Sequence, residues 1–260
     1  MSVFEAIILG LIQGLTEFLP VSSSGHLVLF QDILNLVKPG ITLEVILHFG
    51  TLLSVFWVFR KDFIDLLSFR KDKDQRYYLF VLIIGVIPTA AIGIFLRSYV
   101  DLLFQSTLVV GIAFMITGGI LKFLTMLPEG NKNHTQIMVR DALWIGLFQG
   151  LAVIPGISRS GSTIAAALWR GLDRKTAVRY SFMLSAPVIL GATILEVSSI
   201  LATGLDRAML LNYFAGGLVA FLAGIAAIQI FIKVLSEQKF QYFAYYCWVL
   251  GTIVIGVSLI

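Results

Sequence analysis

Glu17, His26 and Arg159 interrupt two stretches of otherwise apolar sequence, and each brings a chemistry of its own. Gln13 and Glu17 are four residues apart, which on a helix places both side chains on one face. In a membrane setting an ionised carboxylate among Leu, Ile and Phe is costly unless paired, hydrated or bound to a cation, so Glu17 is a functional candidate. The plainer reading is a protonated or interface-level carboxylate. Together Gln13 and Glu17 offer hard oxygen ligands of the kind Mg²⁺ or Ca²⁺ takes, with water or substrate phosphate completing the sphere. Downstream, Pro20 ends one helix and Ser22-Ser23-Ser24-Gly25 opens the next. Hydroxyls and free N–H groups at a helix N-terminus can receive an anion; equally, they can be ordinary caps. His26 adds an imidazole able to act as acid, base or nucleophile near neutral pH.

The second interruption, Pro155-Gly156-Ile157-Ser158-Arg159-Ser160-Gly161, repeats the cap logic with an arginine inserted. Arginine stays charged and meets phosphate through a planar fork. Its partner is either Glu17 or a ligand phosphate, and the residues alone leave both open. Ser22, Ser24, Gly25, Ser158, Ser160 and Gly161 are therefore candidate phosphate contacts. Glu44 and His48 share a second helical face and are candidates for lining the pocket.

These residues sit in two copies of one segment. Residues 6–30 and 142–166 align without gaps at an offset of 136, with nine of twenty-five positions identical, including Gln13/Gln149, Ser22/Ser158, Ser24/Ser160 and Gly25/Gly161. The copies differ at their chemistry: Glu17 and His26 occur only in the first, Arg159 only in the second. The internal repeats run over about 1–130 and 137–260 of a single membrane domain, 1–260.

With 58% hydrophobic residues and a mean hydropathy of +0.93, the chain has lipid as its solvent. Six apolar stretches, near 42–59, 78–97, 106–127, 180–201, 209–235 and 242–260, are long enough to span a bilayer. The repeated segments are different: each is two short apolar limbs, 3–19 with 26–37 and 141–154 with 162–169, and reads as a re-entrant helical hairpin. The fold class expected is an all-α polytopic membrane protein, each half one re-entrant hairpin plus three transmembrane helices. An odd number of crossings then separates the copies, which makes the repeat inverted in topology. Of nineteen Lys and Arg, fourteen, among them Arg60, Arg70, Lys71 and Arg170, fall on one side, and Lys38, Arg97 and Arg207 on the other. Positive charge favours the cytoplasmic face, so both termini and the first hairpin open outward. The net charge of +4 is then a topology signal, and nucleic acid is not expected as a partner. The lone Cys247 excludes a disulfide framework, and Gly118-Gly119 and Gly216-Gly217 suggest close helix packing.

The stretch from Gln13 to His26 and the stretch from Pro155 to Gly161 resemble the two signatures of the undecaprenyl-diphosphate phosphatase family, the bacitracin-resistance type. The resemblance covers the whole chain. It implies an integral enzyme of the cell membrane, with an outward-facing site. The enzyme would hydrolyse undecaprenyl diphosphate to undecaprenyl phosphate and inorganic phosphate, recycling the lipid carrier for peptidoglycan synthesis. It further implies a divalent cation, a polyprenyl diphosphate substrate held from the lipid, Glu17 at the acidic position, His26 and Ser23 as the catalytic pair, and Arg159 as phosphate ligand. Gln13 stands where the family has Glu or Gln, which weakens any scheme needing two carboxylates. Ser23, His26 and a metal-activated water remain open as nucleophile, and a homodimer is one possible assembly. The competing expectation is a transporter or flippase for a phosphorylated polyprenyl lipid or anion, because inverted repeats with broken helices also build transporters.

Overall fold

Ser2 starts the first helix with a reciprocal cap: its hydroxyl accepts the Glu5 N–H, and the Glu5 carboxylate accepts the Ser2 N–H. From there the computed structural model describes residues 1–34, 36, 41–67, 72–203, 207–236 and 239–259. Among these, eleven α-helices follow: α1 Val3–Phe18, α2 Ser23–Ile33, α3 Ile41–Val58, α4 Arg60–Leu67, α5 Lys73–Phe104, α6 Thr107–Leu124, α7 Val139–Leu151, α8 Arg159–Trp169, α9 Arg174–Thr203, α10 Leu210–Ser236 and α11 Phe240–Ser258. Five of them, α5, α6, α9, α10 and α11, are long and apolar enough to cross a membrane. A sixth span is added if α3 and α4, bent by 76° at Phe59, count as one. Large apolar side chains such as Phe4, Ile94 and Phe95 lie on the outside, as expected of a protein solvated by lipid. The chain is an integral membrane protein. The outer end of the 26–37 limb, Lys38, Arg70, Lys71 and Ile260 lie outside the described residues.

Two boundaries differ from expectation. The second limbs begin at Ser23 and Arg159 rather than 26 and 162, because Ser22 Oγ accepts the Gly25 N–H (3.4 Å) and Ser158 Oγ accepts the Gly161 N–H (3.0 Å). Each cap thus makes the next residue the first of its helix, and those two residues occupy the same repeat position. Beyond α3, Arg60–Leu67 form α4, and α5 begins at Lys73, giving a 32-residue helix of about 48 Å.

The broken segments are buried in protein. Ser160–Leu168 of α8 are nine consecutive buried residues. α7 and α8 meet at their outer ends, where Asp141 accepts from Lys132 Nζ (3.0 Å), Arg170 Nε (2.8 Å) and the Met138 N–H (3.0 Å). Met1, Leu34 and Leu36 share one apolar cluster at the outer end of α1 and α2. Helices from the two halves pack crosswise: α1 on α10 and α7 on α5, α3 on α10 and α9 on α5, with α6 against α11 and α3 against α9. Exchanging α1, α3, α5 and α6 for α7, α9, α10 and α11 returns the same set of pairs. Repeated glycines permit the closest approaches, for a Cβ on Gly10 would strike the Gly216 carbonyl and one on Gly146 the Gly85 carbonyl. Gly118 packs on Trp248 and Gly217 on Ile46, whereas Gly119 faces open space.

Candidate active site

Glu17 lies one residue before the end of α1, and Leu19–Ser22 turn the chain into α2. Ser22 has φ 68°, in the left-handed region that a residue with a Cβ enters at a cost of about 1–3 kcal/mol. That conformation aims its carbonyl at the His26 ring while its hydroxyl caps α2.

The second break is held from α6. Thr117 Oγ1 donates to the Gly156 carbonyl (2.8 Å) and accepts the Ser158 N–H (3.0 Å), fixing both sides of the turn that ends in Arg159. Gly156 has φ 93°, and a Cβ there would lie 2.6 Å from the Val110 carbonyl, so the turn needs glycine for conformation and for space.

The tips touch. Ser160 Oγ donates to the Leu19 carbonyl (3.2 Å), and a Cβ on Gly25 would lie 3.0 Å from Gly156 Cα. At their junction the buried Glu17 carboxylate accepts from three donors: Gln13 Nε2 (3.0 Å) and Ser23 Oγ (2.5 Å) on Oε2, and Arg159 Nη2 (2.5 Å) on Oε1. Ser23 and Arg159, the equivalent first residues of α2 and α8, therefore converge on a single carboxylate. Among the described residues, two atoms of this network are buried without a hydrogen-bond partner, Arg159 Nη1 and Gln13 Oε1. Buried orphans of this kind are uncommon and point to a missing group. A spare guanidinium N–H suits an anion oxygen, and a spare amide oxygen suits a cation or a protonated group.

His26 is placed differently. Its Nδ1–H donates to the Ser22 carbonyl (2.7 Å), its Nε2 faces the Tyr246 hydroxyl of α11 (2.6 Å), and the Phe114 edge covers the ring. It shares no hydrogen bond with Ser23, whose proton is turned to Glu17. Glu44 accepts from Gln31 Nε2 (3.0 Å), and His48 Nδ1–H donates to the Glu44 carbonyl (2.8 Å). Neither is hydrogen-bonded to the Glu17 network among the described residues. Ser158 and Ser160 are buried in caps and cross-links, their hydroxyls 3.3 Å apart, and the Ser22 and Ser24 hydroxyls repeat that spacing.

Among the described residues no three His, Cys, Asp or Glu side chains come together as a metal cluster. Glu17 and the unpaired Gln13 Oε1 fit a hard cation only where phosphate oxygens supply the remaining ligands, which is how Mg²⁺ is commonly held. Thr117 and Tyr246 were not singled out from the sequence. A threonine beside Gly118-Gly119 and a tyrosine in the last span were the available signals.

The chain is 46% identical over 255 residues to an undecaprenyl-diphosphatase of Halothermothrix orenii, covering 98% of each chain. It is 42% identical to one of Alkaliphilus metalliredigens, over 100% of each. It is 40% identical to undecaprenyl-diphosphatase 4 of Bacillus thuringiensis, over 99% of this chain and 98% of that one. The family described as bacitracin resistance protein BacA matches residues 6–253, and this chain belongs to that family.

Proposed function

We propose that the protein hydrolyses undecaprenyl diphosphate to undecaprenyl phosphate and inorganic phosphate at the junction of the two broken segments. Relatives of that name align along the whole chain. Within the site, one observation carries the reading: a buried guanidinium with one N–H on a carboxylate and another with no partner. Arg159 is held in place by Glu17 and still has hydrogen-bonding capacity for a phosphate. A diphosphate whose tail stays in lipid can bring its head to this point, and burial strengthens the charge contacts made there.

The Ser23 to Glu17 hydrogen bond supports a two-step phosphoryl transfer. Ser23 Oγ attacks the terminal phosphorus, its proton passes to Glu17, and the anhydride P–O bond breaks to release undecaprenyl phosphate. A water then attacks the phosphoserine and gives its proton to His26 Nε2, displacing the hydrogen bond from the Tyr246 hydroxyl, while Glu17 returns its proton to Ser23 as inorganic phosphate leaves. Arg159 holds the phosphoryl oxygens in both steps. A divalent cation, Mg²⁺ or Ca²⁺, would be held by Glu17 and Gln13 Oε1 and would supply charge neutralisation of the diphosphate.

The shared outer ends of α1 with α2 and of α7 with α8, together with the crosswise pairing of the halves, support re-entrant hairpins in an inverted repeat. The Lys and Arg distribution supports a first hairpin, site and termini on the outer side of the cell membrane, where the product would rejoin the carrier pool for cell-wall synthesis. Purified protein supplied with undecaprenyl diphosphate and Mg²⁺ should release inorganic phosphate. Absence of release, together with counterflow of labelled lipid in vesicles, would replace this reading with a transporter or flippase.

A further inference from the structure

Tyr246 lies 85 residues beyond Gly161, the end of the second break, on α11, and belongs to neither repeated motif. It nevertheless makes the one contact to His26 Nε2 among the described residues. The Ser22 carbonyl is only an acceptor, so the hydrogen bond to it places the proton of a neutral His26 ring on Nδ1. Nε2 is then the basic nitrogen, and the Tyr246 hydroxyl must donate to it. The two rings lie nearly parallel, 3° apart with centroids at 5.7 Å. Phe114 closes a ring face edge-on, 5.3 Å away at 86°, and is itself pressed against Gly25. His26 is 4% exposed whereas Tyr246 is 46% exposed, which sets the phenol between the imidazole and the lipid.

From this geometry we propose that Tyr246 is a positioning residue for His26. With the Ser22 carbonyl on Nδ1–H it holds the imidazole in one orientation, keeps a hydrogen bond on the Nε2 lone pair until the second step uses it, and closes that side of the ring to lipid. The inference rests on the assignment of His26 as base in the proposed function. Ordinary packing would account for the ring contact alone; the 2.6 Å bond to the lone-pair nitrogen is what assigns the role.

The test is a double-mutant cycle with a spectroscopic arm, on full-length protein in detergent. Tyr246→Phe keeps the aromatic ring and should lower kcat about 10- to 100-fold, with KM within about twofold. His26→Ala should lose about 10²- to 10⁴-fold, the usual worth of a general base, and the pair should fall no further than His26→Ala alone. Imidazole ¹⁵N shifts of His26 should report the Nδ1–H tautomer in both proteins, with the Nε2 shift displaced in Tyr246→Phe by loss of its hydrogen bond. Losses that multiply in the double variant, or ¹⁵N shifts unchanged by Tyr246→Phe, would overturn the role of Tyr246. Full activity of His26→Ala would instead remove His26 as the base, while the ¹⁵N arm still reads whether Tyr246 is hydrogen-bonded to Nε2.

Discussion

Removing the two charges at the tips should have unequal and non-additive effects on stability. Glu17→Ala deletes one acceptor and strands three donors: Ser23 Oγ, Gln13 Nε2 and Arg159 Nη2, on a guanidinium that already has Nη1 without a partner. With side-chain exposures of 7% for Glu17 and 16% for Arg159, water screens the pair little. An uncompensated buried cation of this kind costs about 3–5 kcal/mol. Arg159→Ala leaves a carboxylate that still accepts from Ser23 and Gln13, so its cost should be smaller. In the double variant both charges are gone and only neutral donors remain. It should therefore be more stable than Glu17→Ala, with a coupling of about 2–3 kcal/mol between the sites. The assay is denaturant unfolding of the four proteins in one detergent, with phosphate release followed in parallel. All three variants should be inactive, because restoring charge balance does not restore a phosphate ligand or a base. Single-variant costs that simply add would refute the ion pair as the link between the breaks.

Ser23→Ala should reduce phosphate release at least about 10³-fold, whereas Ser24→Ala should stay within about tenfold; acid-quenched wild type should show phosphate on Ser23 by mass spectrometry, and equal losses in the two variants would separate Ser23 from the attack. Chelation of divalent cations should abolish release, and Gln13→Leu should raise the Mg²⁺ concentration for half-maximal activity about tenfold; an unchanged Mg²⁺ response would remove Gln13 Oε1 as a ligand. Gly156→Ala meets a left-handed backbone and the Val110 carbonyl together. Gly171→Ala meets a left-handed backbone, but its nearest neighbour is 3.9 Å away. The first should lower the melting temperature in detergent by roughly 5–10 °C and the second by about half of that, and similar shifts would argue against crowding at the second tip.

The sequence shows the halves of the site more clearly than their connection. Glu17 and Arg159 are conspicuous because charges are rare among Leu, Ile and Phe, and the aligned Gln, Ser and Gly residues announce two related breaks. Six spans are legible from length and hydropathy, and α3 is recognisable even though its bend into α4 is not. What the residues alone leave open is which donor goes to which acceptor. Arg159 had Glu17 or a phosphate as candidate partners, and the structure has it on Glu17 with one N–H to spare. Ser23 and His26 read as neighbours, yet the left-handed Ser22 turns the imidazole to its own carbonyl and leaves Ser23 facing Glu17. Thr117 and Tyr246 escape a reading by motif because each contributes a single side chain from a helix outside the two repeated segments. Their relevance comes from α6 and α11 packing beside the two breaks, a long-range contact that no local spacing encodes.

The central claim is that one phosphate is handled by side chains from both breaks. Its most direct measurement is the initial rate of inorganic phosphate release from undecaprenyl diphosphate by purified wild type, Ser23→Ala and Arg159→Ala, with each variant confirmed as folded. The wild type should release one phosphate per lipid, and each substitution, one in the first break and one in the second, should lower the rate by about 10³-fold or more. Near wild-type release by folded Arg159→Ala would contradict a site shared between the two tips.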